Sequence, residues 1–132
     1  MPMHAPQLYD GPGLAQALFH ESADALFLVD PDTDRLLDVN AVVVRLSGFS
    51  RAELLQFSVS HLIRYLGQGG RDRVRFVVQK TGSFHGQEGY YLRTSRKGTW
   101  VPVSLSITRL HVKPKTLALI TARDIREQRE TH

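Results

Sequence analysis

Four histidines, His20, His61, His85 and His111, are the side chains in this sequence best suited by type to hold a metal or a heme. A metal site needs ligands at a repeating short spacing, such as two histidines on one helix face or a carboxylate–histidine pair. No two of these four stand three or four residues apart, and no such pair accompanies them. They therefore read as surface or hydrogen-bonded histidines. Thiolate chemistry is excluded outright, because the chain has no Cys and can form neither a disulfide, an iron–sulfur cluster nor a cysteinyl photoadduct. Gly67-Gln68-Gly69-Gly70-Arg71 lacks the Lys-Ser/Thr ending of a phosphate loop and reads as a connector. Ser, His and Asp occur without any nucleophile-elbow context, so nothing supports a hydrolytic triad, and the expected function is not enzymatic. Arg71, Arg73, Arg75 and Lys80 form a basic stripe that could touch phosphate. Beside Val74, Val77 and Val78 it reads as the solvated side of an amphipathic helix, and no nucleic-acid partner is expected.

These residues must be positioned by a single core. A chain of 132 residues with 42% hydrophobic and 23% charged residues has globular composition and room for one domain. Its net charge of +4 comes from mixed acids and bases rather than from blocks. No apolar run approaches the roughly 20 residues that cross a bilayer, and the N-terminus has no signal-peptide pattern, so a cytoplasmic protein without membrane insertion is expected.

Residues 1–12 carry Pro2, Pro6, Gly11 and Pro12 and read as a flexible lead-in. From Gly13, Leu14, Ala17 and Leu18 at helical spacing predict a short amphipathic helix. ALFLVD (25–30) and RLLDVN (35–40) flank the turn-rich DPDTD and predict a hairpin. The apolar run Leu26 to Val29 calls for cover on both faces, by helices on one and by the N-terminal helix on the other. AVVVRLSG (41–48) is ambiguous, three valines favouring a strand, but Asn40 is a good N-cap and Gly48 a good stop, so a helix is expected. Ser50 to Glu53 fits a capping box, with Phe49 and Leu54 placed as a hydrophobic staple. VSHLIRYL supplies another helical turn, and RDRVRFVVQKTG a helix ended by Gly82. GYYLRT (89–94) and WVPVSLSITRL (100–110) flank a turn at Gly98, and Val101, Val103, Leu105 and Ile107 alternate with polar residues or Pro as in a half-buried strand. TLALITARDI returns as the last strand.

This order resembles a PAS domain: an α+β fold with a five-stranded antiparallel sheet, short helices packed on one face, and an N-terminal helix. The likeness rests on ALFLVDPDTDRLLDVN, DVNAVVVRLSGFSRAELL, GQEGYYLRTSRKGTWVPVSLSITRL and ALITARDIREQRE, and covers nearly the whole chain. It implies a domain over residues 13–125 and a C-terminal signalling linker from 126 to 132. Heme-binding members place a His on the long helix before the third strand, where this chain has none, so no cofactor is predicted, neither heme nor flavin. The family holds small-molecule ligands between the inner sheet face and the helices, which makes Val43, Leu46, Leu62, Val74 and Val77 candidate ligand-binding wall residues; the bland alternative is that they simply fill the core. The family's Asp-Ile-Thr exit reads Asp124-Ile125-Arg126 here and marks the signal exit. The implied function is a sensory module of a signal-transduction protein, as in two-component systems, expected as a homodimer and relaying ligand or partner binding to a C-terminal effector such as a histidine kinase. The competing expectation is a ligand-free dimerisation scaffold, in which Leu14 and Leu18 pack across a two-fold axis.

Overall fold

The computed structural model describes residues 11–67, 70–80, 83–94 and 98–126. In chain order the elements are α1 (Gly11–His20), β1 (Ala25–Asp30), β2 (Arg35–Val39), α2 (Ala41–Ser47), α3 (Arg51–Leu54), α4 (Val59–Leu62), β3 (Ile63–Tyr65), α5 (Gly70–Lys80), β4 (Ser83–Arg93), β5 (Trp100–Val112) and β6 (Lys115–Asp124). The strands form one sheet in the order β2-β1-β6-β5-β4-β3, with every neighbouring pair antiparallel.

The predicted alternation in β5 holds. Val101, Val103, Leu105 and Ile107 are buried while Pro102, Ser104 and Ser106 are half-buried and Thr108 is exposed. The inner face of the sheet meets the helices through Val43, Leu54, Val59, Leu62, Val74, Val77 and Val78, all of them buried. Burial of this apolar surface is the main stabilising term, worth about 25 cal/mol per Å² removed from water.

The ambiguous 41–48 stretch is a helix because both ends are satisfied. The Asn40 side chain accepts from Val43 N–H, and Gly48, left-handed at φ 76°, sends its N–H to the Val44 carbonyl. The capping box before α3 is complete: Ser50 Oγ accepts from Glu53 N–H at 3.1 Å and Glu53 Oε1 accepts from Ser50 N–H at 2.9 Å. Phe49 and Leu54, the expected staple pair, are both buried in the core.

Four expectations need correction. The sheet has six strands rather than five, because the second half of VSHLIRYL leaves the helix: Ile63, Arg64 and Tyr65 pair with Leu92, Tyr91 and Tyr90. A β-branched and an aromatic residue two apart favour that edge pairing over another helical turn. Strand β4 starts at Ser83 rather than near Gly89, since Phe84 and His85 already pair with Ile107 and Ser106 before a register shift between Gly86 and Tyr90. Gly89 turns this shift at φ 89°, and a Cβ there would come within 2.6 Å of Tyr65 Cε1, so the stretch before Tyr90 is a bulged strand under an aromatic ring. Helix α1 begins at Gly11, two residues inside the expected lead-in; Pro12 is tolerated in the first turn, where its missing N–H has no intrahelical partner to lose. Finally, α1 does not cover the second face of β1: it buries none of its residues, and Leu14 and Leu18 are 45% and 66% exposed. Its apolar stripe is only Leu14, Ala17 and Leu18, too narrow to seat a helix, and Leu28 on β1 stays half-buried. The Gly82 helix stop, most of the lead-in and the linker beyond Arg126 lie outside the described residues.

Candidate functional site

Asp124 ends β6 opposite Val103 of β5, and the next residue is still tied to the sheet, Ile125 N–H donating to the Pro102 carbonyl at 3.2 Å. The Asp124 side chain then closes the exit. Its Oδ1 accepts from Arg126 N–H at 2.9 Å, a short turn that any residue at 126 could complete through its backbone. Arg126 adds what a Thr at this position could not, a guanidinium whose Nη2 lies 2.6 Å from Asp124 Oδ2. Burial pushes the Asp124 carboxyl up, but the Arg126 hydrogen bonds and charge outweigh it and hold the carboxyl below its ordinary value. Of the three predicted exit residues, Asp124 and Arg126 are thus bonded to each other and Ile125 to β5, at the end of a strand that pairs with both β1 and β5.

Of the five predicted wall residues, Val43, Leu62, Val74 and Val77 lie in the buried core and Leu46 packs half-buried against it. All five stand on helices whose buried sides share one hydrophobic core with the sheet.

Two further constellations escaped the sequence reading. Asn40, expected only as a helix cap, is fully buried and joins three elements. Its Oδ1 accepts from Leu26 N–H at 3.1 Å and Val43 N–H at 3.3 Å, while its Nδ2 donates to the Phe19 carbonyl at 3.0 Å and the Asp24 carbonyl at 2.9 Å. The second is Arg73, read as part of a solvated stripe. Its Nε donates to Tyr90 Oη at 3.3 Å and its guanidinium lies 5.7 Å and 5.8 Å from the Tyr65 and Phe84 ring centroids. Arg73 thereby fixes α5 against β3 and β4. Arg75 is exposed, and the side chains of Arg71 and Lys80 lie outside the described parts.

The four histidines sit on separate elements. His20 packs edge-on against Phe19, His61 meets Ser58 Oγ at 3.1 Å and stacks on Phe57, His85 meets Ser106 Oγ at 2.8 Å, and His111 approaches Thr116 Oγ1 at 3.5 Å. Among the described residues no three His, Asp or Glu side chains converge to hold a metal ion, and no helix is long and apolar enough to cross a membrane.

A family model described as "PAS domain" matches residues 23–127. Many solved structures resemble the chain, among them the following three. The PAS domain of an HTR-like protein from Haloarcula marismortui is 19% identical with a TM-score of 0.70, over 90% of this chain and 95% of that one. A domain of a sensory box sensor histidine kinase/response regulator from Geobacter sulfurreducens is 25% identical with a TM-score of 0.69, over 89% and 96%. The PAS domain of the fruit-fly ELK potassium channel is 14% identical with a TM-score of 0.67, over 89% and 98%. No curated protein matches the chain.

Proposed function

The chain belongs to the PAS domain family, and on that premise we propose that it is a cytoplasmic sensory module that relays binding of a ligand or partner to an effector joined at its C-terminal end. The likeness to a sensor histidine kinase domain supports a sensory signalling role and makes a histidine kinase the leading effector. The same fold also occurs in a potassium channel, so the fold alone does not fix the effector. The observation that carries the reading is the exit: Asp124 holds Arg126 through backbone and side chain while Ile125 is bonded to Pro102 on the neighbouring strand. A shift of β5 against β6 must therefore move the first residues beyond the sheet. No catalytic step is invoked. Binding acts only through its difference in affinity for two arrangements of sheet and helices.

The test is Asp124→Ala in the signalling protein that carries this domain, with effector output measured with and without stimulus. Output that no longer follows the stimulus, in a protein that still folds, is the expected result. Stimulus dependence equal to the parent's overturns the reading.

A second reading rests on α1, whose Leu14 and Leu18 are exposed on a helix with no fully buried residue. It takes the domain as a ligand-free homodimerisation scaffold. Native mass spectrometry with sedimentation separates the two, a retained small molecule supporting the sensor and a ligand-free dimer the scaffold.

A further inference from the structure

A cleft of about 360 Å³ opens at the β3 edge of the sheet, lined by Ser60, His61, Arg64, Tyr65, Arg93 and Trp100. It is separate from the buried helix–sheet layer of Val43, Leu62, Val74 and Val77. Register places two of its cations together: Arg64 pairs with Tyr91, two residues before Arg93, and Arg93 pairs with Trp100. Arg64, Arg93 and Trp100 thus share one strand face, opposite Ile63, Leu92 and Val101, which are buried in the core.

The Arg64 guanidinium lies 4.0 Å from the centroid of the Trp100 ring, which covers one of its faces and holds it in place. Its Nε is buried and meets no hydrogen-bond partner among the described residues. The guanidinium as a whole offers its donors in a planar fork matched to carboxylate or phosphate. No Asp or Glu lines the cleft among the described residues. Arg93 adds a second positive charge, and Ser60, His61 and Tyr65 add polar groups at the wall. The volume lies at the small end of the range for ligand pockets.

We propose that this cleft binds a small organic anion, its carboxylate or phosphate group held by Arg64 and Arg93 and its remainder against Trp100 and Tyr65. The site would sit close to the exit, since Trp100 stands two residues before Pro102, whose carbonyl holds Ile125. Anion binding here does not depend on the relay described above, and is measured without any effector.

Trp100 is the only tryptophan of the chain and reports on the cleft directly. The full chain is titrated with sodium phosphate and with sodium malonate against sodium chloride at constant ionic strength, following Trp100 emission and, independently, heat by calorimetry. Saturable binding of phosphate, malonate or both, absent with chloride, is expected; the preferred probe identifies the group. Arg64→Gln and Arg93→Gln should each weaken binding about tenfold or more, the size of one charge-assisted hydrogen bond. Arg64→Lys, which keeps the charge but loses the fork, should fall between, and exposed Arg45→Gln should change nothing. Circular dichroism checks that each variant folds; should Arg64→Gln fail, Arg64→Lys and Arg93→Gln carry the test. A linear response, an equal response to chloride, or calorimetric affinity unchanged in the folded Arg64 and Arg93 variants overturns the proposal.

Discussion

Replacing Asn40 tests most directly how this domain is held together. Its side chain makes four hydrogen bonds, to Leu26 N–H, Val43 N–H and the carbonyls of Phe19 and Asp24. In Asn40→Ala all four backbone partners lose their bond at a fully buried position. At about 1 kcal/mol each, a loss of about 3–4 kcal/mol is expected once partial relaxation and water entry are allowed for, roughly 10–15 °C in Tm for a domain of this size. Loss of a helix cap alone would be about 1 kcal/mol. Asn40→Ser separates the contributions, since its hydroxyl can still cap α2 but cannot donate to both Phe19 and Asp24; about half the loss is expected. Asn40→Asp keeps the acceptor and turns a donor into a buried negative oxygen facing two carbonyls, so it should be at least as damaging as Ala despite its shape. Urea unfolding followed by Trp100 emission and by circular dichroism measures all three. If Asn40→Ala costs only about 1 kcal/mol, or Asn40→Asp is well tolerated, the three-way junction is not what the distances indicate.

Two further outcomes follow from other contacts. The Lys115 ammonium, 3.0 Å from buried Asp30, is the main cause that lowers the Asp30 carboxyl below its ordinary value, with a further bond from Asp32 N–H. A carboxyl depressed in the folded state stabilises above its unfolded value, near 3.9, and that stability is lost as pH falls through the lower folded value. Lys115→Gln should therefore be less stable than the parent at pH 7 in urea melts, with the gap closing as pH drops below about 4; a gap that widens in acid would contradict the sign. Gly89→Ala forces a Cβ to within 2.6 Å of the Tyr65 ring at φ 89°, and should lower stability by more than about 1 kcal/mol. An unchanged urea midpoint would show that the bulge can relax.

Much of this architecture was readable from local chemistry. The capping box at Ser50–Glu53, the Asn40 and Gly48 signals around α2, and the period-two run in β5 each act within a few residues, where sequence spacing and spatial spacing coincide. Strand β3 was not readable, because Ile63–Tyr65 becomes a strand only through pairing with Leu92–Tyr90, far along the chain. Arg73 looked like a surface cation for the same reason: Tyr65, Phe84 and Tyr90, which surround it, come from two other elements. Conversely, α1 has the spacing of an amphipathic helix, but spacing says nothing of whether a partner surface exists, and among the described residues Leu14 and Leu18 stay exposed. At the exit, Asp124 was identified through family likeness, while the part of Arg126 emerged only from its bond to Asp124.

The sheet ends on its two shortest strands, β2 with five residues and β3 with three. Exposed strand borders offer unpaired backbone groups to passing chains, and brevity limits how much of a foreign strand can zip on. Where β4 runs past β3, the register shift between Gly86 and Tyr90 breaks the template again. Copies of this domain crowded together are thus guarded against fibril-like stacking, which channels any self-association through helices and sheet faces.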